Sequence, residues 1–280
     1  MIDLHSHSTA SDGGCTPTRL VELALGIGIR ALALTDHDTV AGVPEASERA
    51  EGTGTLLIPG VEVEIEVPTG EFHLLGLGLF GDRRPLDAAL DRVREARRGR
   101  NARMVDKMRD GGIPITLEEV SAIAGGEIVS RAHFARLLVR KRVVSSVDAA
   151  FSRLIGKGCP YYEPRACLEL REAVQLIETA GGFTSVAHPA SLGLTEPALR
   201  QHLSGCRDLG VRGLEAWHPN HTLKFCHRLE KLARSLGMLV TGGSDFHGEH
   251  MPQRRLGQSS GGRPVPDMLL ETLPLHPAGR

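Results

Sequence analysis

The chain opens with Met1-Ile-Asp-Leu-His5-Ser-His7-Ser-Thr-Ala-Ser-Asp12, a short apolar run that leads into two histidines and a carboxylate. Because alternate residues of an extended strand point to the same side, His5 and His7 can direct both imidazoles toward one point. Imidazole is a common ligand of transition metals. An isolated His-x-His pair is more often just two polar residues at a strand end, so its interpretation depends on the rest of the chain.

Apolar runs that end in His, Asp or Glu recur along the sequence, and predicted helices separate most of them. Alternating strands and helices indicate parallel strands joined by helical crossovers. In barrels of this kind the functional groups lie at the carboxyl ends of the strands. The pattern therefore predicts one polar site at that end of an α/β barrel. The candidate residues are His5, His7, Asp12, His37, Glu62, His73, His188, His218, Asp245 and His247.

Local patterns predict the first elements of this barrel. Thr16 followed by Pro17 is typical of a helix start, and the apolar residues 30–34 are typical of a strand buried on both faces. Residues 55–58 and 61–66 are predicted as strand segments on either side of Pro59-Gly60. Strict alternation in the second segment places Glu62, Glu64 and Glu66 on one face. A turn at residues 68–70 then leads into a returning strand that carries His73.

Composition excludes several classes of protein. The 280 residues are 41% hydrophobic and carry a net charge of −1, which supports a full core and gives no overall basic surface for polyanions. No apolar run approaches the roughly 20 residues that span a membrane. Because the first candidate ligand is residue 5, we expect no secretory signal peptide. Five scattered cysteines without a C-x-x-C pair are expected to be reduced thiols of a cytoplasmic protein.

Residues 82–160 interrupt the alternation, because they contain only helical patterns and are basic, with 17 Lys and Arg against 10 Asp and Glu. The predicted helices cover 85–110, a segment that starts at the capping-box residues Thr116 and Glu119, 132–142 and 147–155. We therefore predict a barrel formed by residues 1–81 and 161–280, with residues 82–160 inserted as a helical lid domain. For any single arginine between Arg92 and Arg109, the exposed polar face of a long helix is the favoured explanation.

The candidate site mixes imidazoles with carboxylates. Such ligands suit Zn²⁺, Mn²⁺ or Fe²⁺ better than Mg²⁺ or Ca²⁺, which prefer oxygen ligands alone. There are too many groups for one tetrahedral ion, so two or three ions are expected. Closely spaced ions bridge an anionic substrate and lower the pKa of a bound water. This chemistry is that of phosphate-ester hydrolysis, in which electrostatic stabilisation supplies much of the rate.

The order of the motifs resembles the polymerase-and-histidinol-phosphatase (PHP) family. The motifs are His5-x-His7, Thr35-Asp-His37-Asp38, Pro59-Gly-Val-Glu62, Ala187-His188-Pro189 and Gly243-Ser-Asp245-Phe-His247-Gly. The resemblance extends from residue 1 to about residue 260 and implies a distorted (β/α)7 barrel with a trinuclear metal site. It implies one ion held by His5, His7, Glu62 and Asp245, a second by Glu62, His73 and His188, and a third by Asp12, His37 and His247. It further implies two to three divalent ions, with Mn²⁺ first and Fe²⁺ or Zn²⁺ as alternatives.

Two features narrow the resemblance to a branch that acts on nucleotides. Histidinol phosphatases of the family tend to have His where this chain has Asp12, and the helical insertion near residue 80 is similar to that of the nucleotide branch. The stretches around Arg131, His133 and Lys157 look like its lid motifs, so we predict that these three side chains bind a second or distal phosphate. The alternative for Arg131 is an ion pair with a neighbouring acid.

Two further residues are predicted to take part in catalysis. His218, beside Trp217, can act as a general acid for the leaving oxygen or as a support for a ligand. Asp36 can orient the imidazole of His37, and Asp38 is an alternative for that role. His221 is close to the site in the sequence but lies at a predicted helix start, so helix capping or surface exposure is as compatible with it as a role at the site. Structural or surface roles are expected for His202, His227, His250 and His276.

The sequence thus predicts a cytoplasmic metallophosphatase, a phosphoric monoester hydrolase in which a metal-bound hydroxide attacks phosphate monoesters of small nucleotides. The expected substrate is a nucleoside 3′,5′-bisphosphate or a 5′-monophosphate, with short RNA as a further possibility. The alternatives are a 5′–3′ exoribonuclease, a histidinol-phosphatase-like enzyme, and a non-catalytic or proofreading PHP module. No membrane association and no obligate protein partner are expected.

Overall fold

The computed structural model describes residues 1–67, 71–124, 129–164, 167–249 and 251–275. The chain divides into two compact units. One unit comprises Met1–Leu90 and Cys167–Arg280, and the other comprises Asp91–Ala166. The second unit therefore begins inside a long helix, whereas the sequence suggested an insertion that starts before that helix, at residue 82.

Seven strands form one sheet in the first unit, in the order β1-β2-β3-β4-β5-β6-β7. The strands are β1 (Ile2–Asp3), β2 (Ala31–Leu34), β3 (Leu56–Ile65), β4 (Phe72–Leu77), β5 (Phe183–Val186), β6 (Gly213–Trp217) and β7 (Leu239–Gly242). All neighbouring pairs are parallel except those of β4, which is antiparallel to β3 and to β5. Backbone bonds from Leu4 N to Gly242 O and from His7 N to Phe246 O bring the two edges together. The prediction of a distorted, nearly closed seven-stranded α/β barrel is confirmed.

The helices follow the predicted alternation. In chain order they are α1 (Pro17–Gly26), α2 (Val43–Ala50), α3 (Arg84–Asp110), α4 (Leu117–Ala124), α5 (Arg131–Arg140), α6 (Val147–Ala150), α7 (Leu170–Thr179), α8 (Glu196–Asp208), α9 (Leu223–Ser235) and α10 (Leu269–Thr272). Short 3₁₀ turns lie at Pro189–Leu192 and Ser260–Gly262. Within the described ranges no helix has the length and apolar composition that crossing a bilayer requires.

The predicted start of α1 is confirmed. The hydroxyl of Thr16 accepts a hydrogen bond from Arg19 N at 3.2 Å, and Pro17 occupies the first turn, where its missing N–H costs nothing. All four residues of β2 are buried, as its continuous apolar run predicted. Helices α1 and α2 pack with β2 in one apolar cluster that includes Leu20, Val21 and Leu34.

Strand β3 differs from the prediction of two separate segments, since it runs without interruption through Pro59 and Gly60. Its first half pairs with β2 and its second half pairs with β4, so the missing N–H of Pro59 falls where the pairing changes. A side chain at Gly60 would lie 2.9 Å from the carbonyl oxygen of Gly76, so only glycine allows this close approach. The predicted turn at residues 68–70 lies outside the described residues.

The second unit has its own hydrophobic core, built around Met104, Met108, Phe134 and Leu138. The predicted capping box of α4 is confirmed, because Glu119 N donates to Thr116 Oγ1 and Thr116 N donates to the Glu119 carboxylate. The helix predicted over 147–155 has two parts, α6 and a π-helical turn at Phe151–Ile155 that ends at Gly156.

Candidate metal centre

Eight of the nine predicted metal ligands come together in the first unit as three overlapping groups, within each of which the ligand atoms lie within 4.8 Å of one another. The ninth, His188, lies beside these groups with its Nε2 at 2.9 Å from Glu62 Oε1. The first group is His5, His7, Glu62 and Asp245. Both histidines direct Nε2 to within 3.3 Å of Glu62 Oε2, and they lie 3.5 and 3.2 Å from Asp245 Oδ1. All four residues are buried. This group has the same composition as the first ligand set implied by the family resemblance.

The second group surrounds Asp12 and contains His7, His37 and His247. Asp12 Oδ1 lies 3.4 Å from His247 Nε2, 3.9 Å from His37 Nε2 and 4.0 Å from His7 Nδ1. The resemblance implied Asp12, His37 and His247 here. The structure adds His7, whose two ring nitrogens face two different groups.

The third group is centred on Glu62 and contains His37 and His73. Glu62 Oε1 lies 2.9 Å from His73 Nδ1 and 2.9 Å from His188 Nε2, while Glu62 Oε2 lies 3.1 Å from His37 Nδ1. Each oxygen of this carboxylate therefore faces a different set of imidazoles. Glu62 belongs to the first and the third group and so connects these two.

The fold explains why these side chains meet. His5, His37, His188 and Asp245 each follow a parallel strand, so they emerge at the same edge of the barrel. His73 lies at the amino end of β4, which reaches the same edge because β4 is antiparallel. The backbone of His188 (φ 22°) and of Asp245 (φ 50°) has positive φ, which is uncommon for residues other than glycine. Such strained residues cluster at functional sites, where the surrounding structure holds them.

Opposite charges dominate the electrostatics of the cluster. Burial alone would raise the pKa of Glu62, but the imidazoles of His37, His5 and His73 hold it well below its usual range. Burial would likewise lower the pKa of His7, yet the carboxylates of Asp245 and Glu62 raise it to about 9. For His37 burial prevails and lowers the pKa to about 3. The cluster therefore keeps its carboxylates ionised, as binding of a cation requires.

Several buried atoms of the cluster lack a hydrogen bond of normal geometry. These atoms are His5 Nε2, His7 Nδ1, His7 Nε2 and Glu62 Oε2. Leaving buried polar atoms unpaired costs about 1–3 kcal/mol each, so native proteins rarely do it without a ligand. All four belong to the overlapping groups, and they are the nitrogen and oxygen donors that Zn²⁺, Mn²⁺ and Fe²⁺ accept. The residues present fit a multinuclear metal site.

A cavity of about 420 Å³ opens onto this cluster. Its remaining lining includes Glu71, Ser191, Asn220, Met251 and Arg254. A cavity of this size holds a small organic ligand. The cluster therefore has room for a substrate beside the candidate metal positions.

His218 is buried beside the cluster, as a site role requires. Its Nδ1 accepts a hydrogen bond from Asn220 N, so its Nε2 carries the proton and donates to Asp245 Oδ2 at 3.1 Å. The contact supports the orientation of the Asp245 carboxylate. That His218 also protonates a leaving group stays a prediction.

Asp36 contacts the loop that precedes Asp12 and not the ring of His37. Its carboxylate accepts hydrogen bonds from Ser8 N and Ser8 Oγ at 2.7 Å and from Ser11 Oγ at 2.6 Å. Burial raises its pKa. The nitrogens of His37 face Glu62 and Asp12 instead. The hydrogen bonds of Asp36 therefore shape the loop before Asp12. A direct role of Asp36 in catalysis stays a prediction.

The three predicted phosphate-binding residues belong to the second unit. The guanidinium of Arg131 lies over the rings of Phe151 and Tyr162, with centroid distances of 5.9 and 5.5 Å, and its Nε is buried without a hydrogen-bond partner. His133 is buried, and its Nδ1 accepts from Ser130 N at the start of α5. Lys157 is exposed. That these residues bind phosphate stays a prediction.

Three residues that contact the cluster were not singled out in the sequence: Asp3, Glu215 and Arg254. Glu215 Oε1 lies 3.0 Å from His5 Nδ1, and Glu215 Oε2 accepts from His188 N at 2.6 Å. Asp3 accepts from Ser244 N, Ser244 Oγ and Gly257 N, which fastens the segment before Asp245 to β1. A lone carboxylate inside an apolar strand is the pattern that could have identified Asp3 and Glu215, since such a group needs a partner.

The remaining histidine predictions can be compared with the structure where the chain is described. His221 is neither a helix cap nor exposed, because it is buried and its Nδ1 donates to Ala216 O at 3.0 Å. Burial lowers its pKa to about 4. His227 is exposed on α9, as expected. His250 and His276 lie outside the described residues.

Comparison with known proteins agrees with this geometry. The family model described as "PHP domain" matches residues 3–195. A 5′-3′ exoribonuclease of Haemophilus influenzae is 35% identical over 245 residues, which cover 88% of this chain and 89% of the relative. A 3′,5′-nucleoside bisphosphate phosphatase of Chromobacterium violaceum is 31% identical over 265 residues, which cover 94% and 93% of the two chains.

The fold is also similar to that of a solved structure. An amidohydrolase from Chromobacterium violaceum, with bound sulfate and no metal, matches with a TM-score of 0.82 and 30% identity over 96% of both chains. The family model spans more than half of the sequence, and the exoribonuclease and the phosphatase cover most of it. This chain is therefore a member of the PHP domain family.

Proposed function

We propose that this protein is a metal-dependent phosphoesterase that hydrolyses phosphate monoesters of small nucleotides, either nucleoside 3′,5′-bisphosphates or 5′-monophosphates. The observation that carries the proposal is the set of three overlapping His/Asp/Glu groups around Glu62, which opens onto a cavity of about 420 Å³. The phosphatase relative from Chromobacterium violaceum supports the nucleotide as substrate class.

The ions would be held by the three ligand sets that the family resemblance implies, with Mn²⁺ as the first candidate and Fe²⁺ or Zn²⁺ as alternatives. Divalent ions supply Lewis-acid polarisation of the phosphate and lower the pKa of water. His5, His7, Glu62 and Asp245 form the most buried of the three groups. His218 would keep Asp245 oriented through its Nε2–H bond. Arg131, His133 and Lys157 would bind the phosphate that is not hydrolysed.

The test is phosphate release with Mn²⁺ from adenosine 3′,5′-bisphosphate, AMP, histidinol phosphate and a 5′-phosphorylated short RNA. The wild type is compared with His37→Ala, which removes a residue shared by two of the groups. His227→Ala is the matched control, because His227 is an exposed histidine on α9. Arg131→Ala tests the second phosphate site.

We expect the bisphosphate or AMP to be the best substrate, His37→Ala to lose at least 100-fold in rate, and His227→Ala to match the wild type. Arg131→Ala should selectively weaken hydrolysis of the bisphosphate. A preference for histidinol phosphate would contradict the proposed substrate class. If the wild type were as inactive as His37→Ala on all four compounds, the result would contradict the proposal that the protein is an enzyme. It would favour a non-catalytic module.

A 5′–3′ exoribonuclease is the second candidate, because the relative from Haemophilus influenzae carries that name at 35% identity. The two activities leave different products from the same 5′-phosphorylated RNA. A phosphomonoesterase releases inorganic phosphate and leaves the chain length unchanged, whereas an exoribonuclease releases mononucleotides. Separation of the products by length decides between them.

A further inference from the structure

Arg254 is the only arginine or lysine that lines the cavity at the metal cluster within the part of the chain that the structure describes. Its Nη1 lies 2.6 Å from Asp245 Oδ2 and also contacts Asp245 O and His247 Nδ1, at 3.4 and 3.2 Å. The guanidinium is thus fixed at the edge of the site by one of its three nitrogens.

The other two nitrogens of Arg254, Nε and Nη2, make no contact with Asp245 or His247 among the described residues. All the contacts with Asp245 and His247 are made by Nη1, and Nε is buried without a hydrogen-bond partner. The side chain is 18% exposed, so the group is largely removed from water while remaining accessible from the cavity. A planar guanidinium that is anchored at one nitrogen and keeps a further donor can hydrogen-bond to a multiply charged oxyanion such as a phosphoryl group.

The position of Asp245 indicates where such an anion would bind. Asp245 Oδ1 faces His5 and His7, whereas Oδ2 is held by His218 and Arg254. Arg254 therefore contacts a candidate metal ligand on the side away from the imidazoles that share its other oxygen. A phosphoryl group bound at the cluster would lie within reach of the guanidinium, since both line one cavity.

We propose that Arg254 is a substrate-binding residue that donates a hydrogen bond from Nη2 to the phosphoryl group at the metal cluster, while Nη1 orients Asp245. This inference rests on the proposed function and assigns the phosphoryl contact to the barrel unit itself. It is independent of Arg131, His133 and Lys157, which are proposed to bind a different phosphate.

The experiment distinguishes a role of Arg254 in phosphate binding from a role in orienting the candidate metal ligand Asp245. Arg254→Lys keeps a positive charge and one donor for Asp245 but loses the planar fork, and Arg254→Gln loses the charge as well. Arg255→Lys and Arg255→Gln are matched controls, because Arg255 is the exposed neighbour of Arg254. For each variant we would measure bound Mn²⁺ by elemental analysis, binding of inorganic phosphate by calorimetry, and KM and kcat for adenosine 3′,5′-bisphosphate.

We expect Arg254→Lys to keep the Mn²⁺ content of the wild type and to bind inorganic phosphate about 10- to 100-fold more weakly, which corresponds to the loss of a charge-assisted pair. Arg254→Gln should be at least as weak, and both Arg255 variants should match the wild type. KM should rise in the two Arg254 variants.

Unchanged phosphate affinity in Arg254→Lys and Arg254→Gln would overturn the inference. A fall in Mn²⁺ content that accounts for all of the lost phosphate affinity would also overturn it, because Arg254 would then only position Asp245. Calorimetry does not depend on turnover. A wild type that binds phosphate through Arg254 but hydrolyses no ester would refute the proposed function and leave this inference standing.

Discussion

At the residue scale, Glu215 supports two candidate ligands at once. Its Oε1 receives the proton of His5 Nδ1, which leaves the lone pair of His5 Nε2 directed at Glu62 and Asp245. Its Oε2 holds the backbone N–H of His188, the residue with φ of 22°. A carboxylate behind a metal-binding histidine fixes its tautomer and ring orientation. Glu215 is therefore a positioning residue for the candidate ligands His5, after β1, and His188, after β5.

Glu215→Gln should weaken Mn²⁺ binding about 10- to 100-fold. The glutamine amide has one acceptor oxygen, whereas His5 Nδ1–H and His188 N–H each need an acceptor. Titration with Mn²⁺ against a chromophoric chelator measures the loss. Glu178→Gln, on the exposed face of α7, is the matched control and should bind Mn²⁺ like the wild type. Equal affinities of Glu215→Gln and wild type would contradict the positioning role.

His221 makes stability depend on pH. Burial lowers its pKa from 6.5 to about 4, so between those values the unfolded chain binds a proton that the folded chain does not. The wild type should therefore lose up to about 3 kcal/mol of unfolding free energy from this residue as the pH falls through that window. His221→Asn keeps a donor for Ala216 O but cannot titrate. Urea unfolding in the presence of EDTA at pH 7.5 and 4.5 measures the free energy of unfolding of both proteins. The wild type should be more stable than His221→Asn by a larger margin at pH 7.5 than at pH 4.5. The same margin at both pH values would contradict the prediction.

At the element scale, the seam between β1 and β7 holds the first ligand group together. Asp245 N donates to His5 O at 2.9 Å, and Ser244 N donates to Asp3 Oδ1 at 2.9 Å. The two segments approach so closely because Gly243 has no side chain. An added Cβ would lie 2.6 Å from His5 N and still closer to His5 Cβ. The glycine thus sets the distance between His5 and Asp245.

Gly243→Ala should destabilise the protein by about 1–3 kcal/mol through overpacking and should also weaken Mn²⁺ binding. Gly205→Ala is the matched control, because nothing lies within 4 Å of a Cβ at this position in α8. That substitution should be neutral or stabilising by up to about 1 kcal/mol. Urea unfolding and Mn²⁺ titration of the two variants test both effects. A Gly243→Ala protein as stable as Gly205→Ala would show that the seam can relax.

At the scale of the whole molecule, the candidate ligands and the inserted helices belong to different compact units. All nine ligands lie in the barrel unit, and the inserted unit has a hydrophobic core of its own. Each unit therefore has a hydrophobic core, and only the barrel unit carries the candidate metal ligands. Ions bound only by the folded barrel should stabilise the barrel selectively.

Removal of Mn²⁺ with EDTA should raise amide hydrogen exchange at the strand ends that carry ligands, residues 2–12, 35–38, 60–64, 183–190 and 242–247. The helices of the inserted unit, residues 91–124 and 129–164, should change little. Hydrogen exchange detected by mass spectrometry resolves these segments. An equal loss of protection in both units would contradict separate stabilisation.

Much of the fold and of the candidate site could be predicted from the sequence, because both depend on local patterns of apolar and polar residues. Period-two and helical patterns determined the alternation of elements, and the residue after each apolar run marked the edge where His5, His37, His188 and Asp245 meet. The exception at this level is β3, in which Pro59 and Gly60 were taken for a break. A local pattern cannot show that a strand changes partner at its proline.

The sequence by itself determined the α/β barrel and most of the residues that its edge brings together, and the resemblance to the PHP family implied seven strands. Only the tertiary structure decided how these residues are paired: that His7 faces two groups, that Glu62 lies among five imidazoles, that Asp36 holds a loop, and that Glu215 and Arg254 support the candidate ligands. The physical reason is distance along the chain. The contact between His5 and Glu215 spans 210 residues, and its strength comes from burial that no local stretch of sequence encodes.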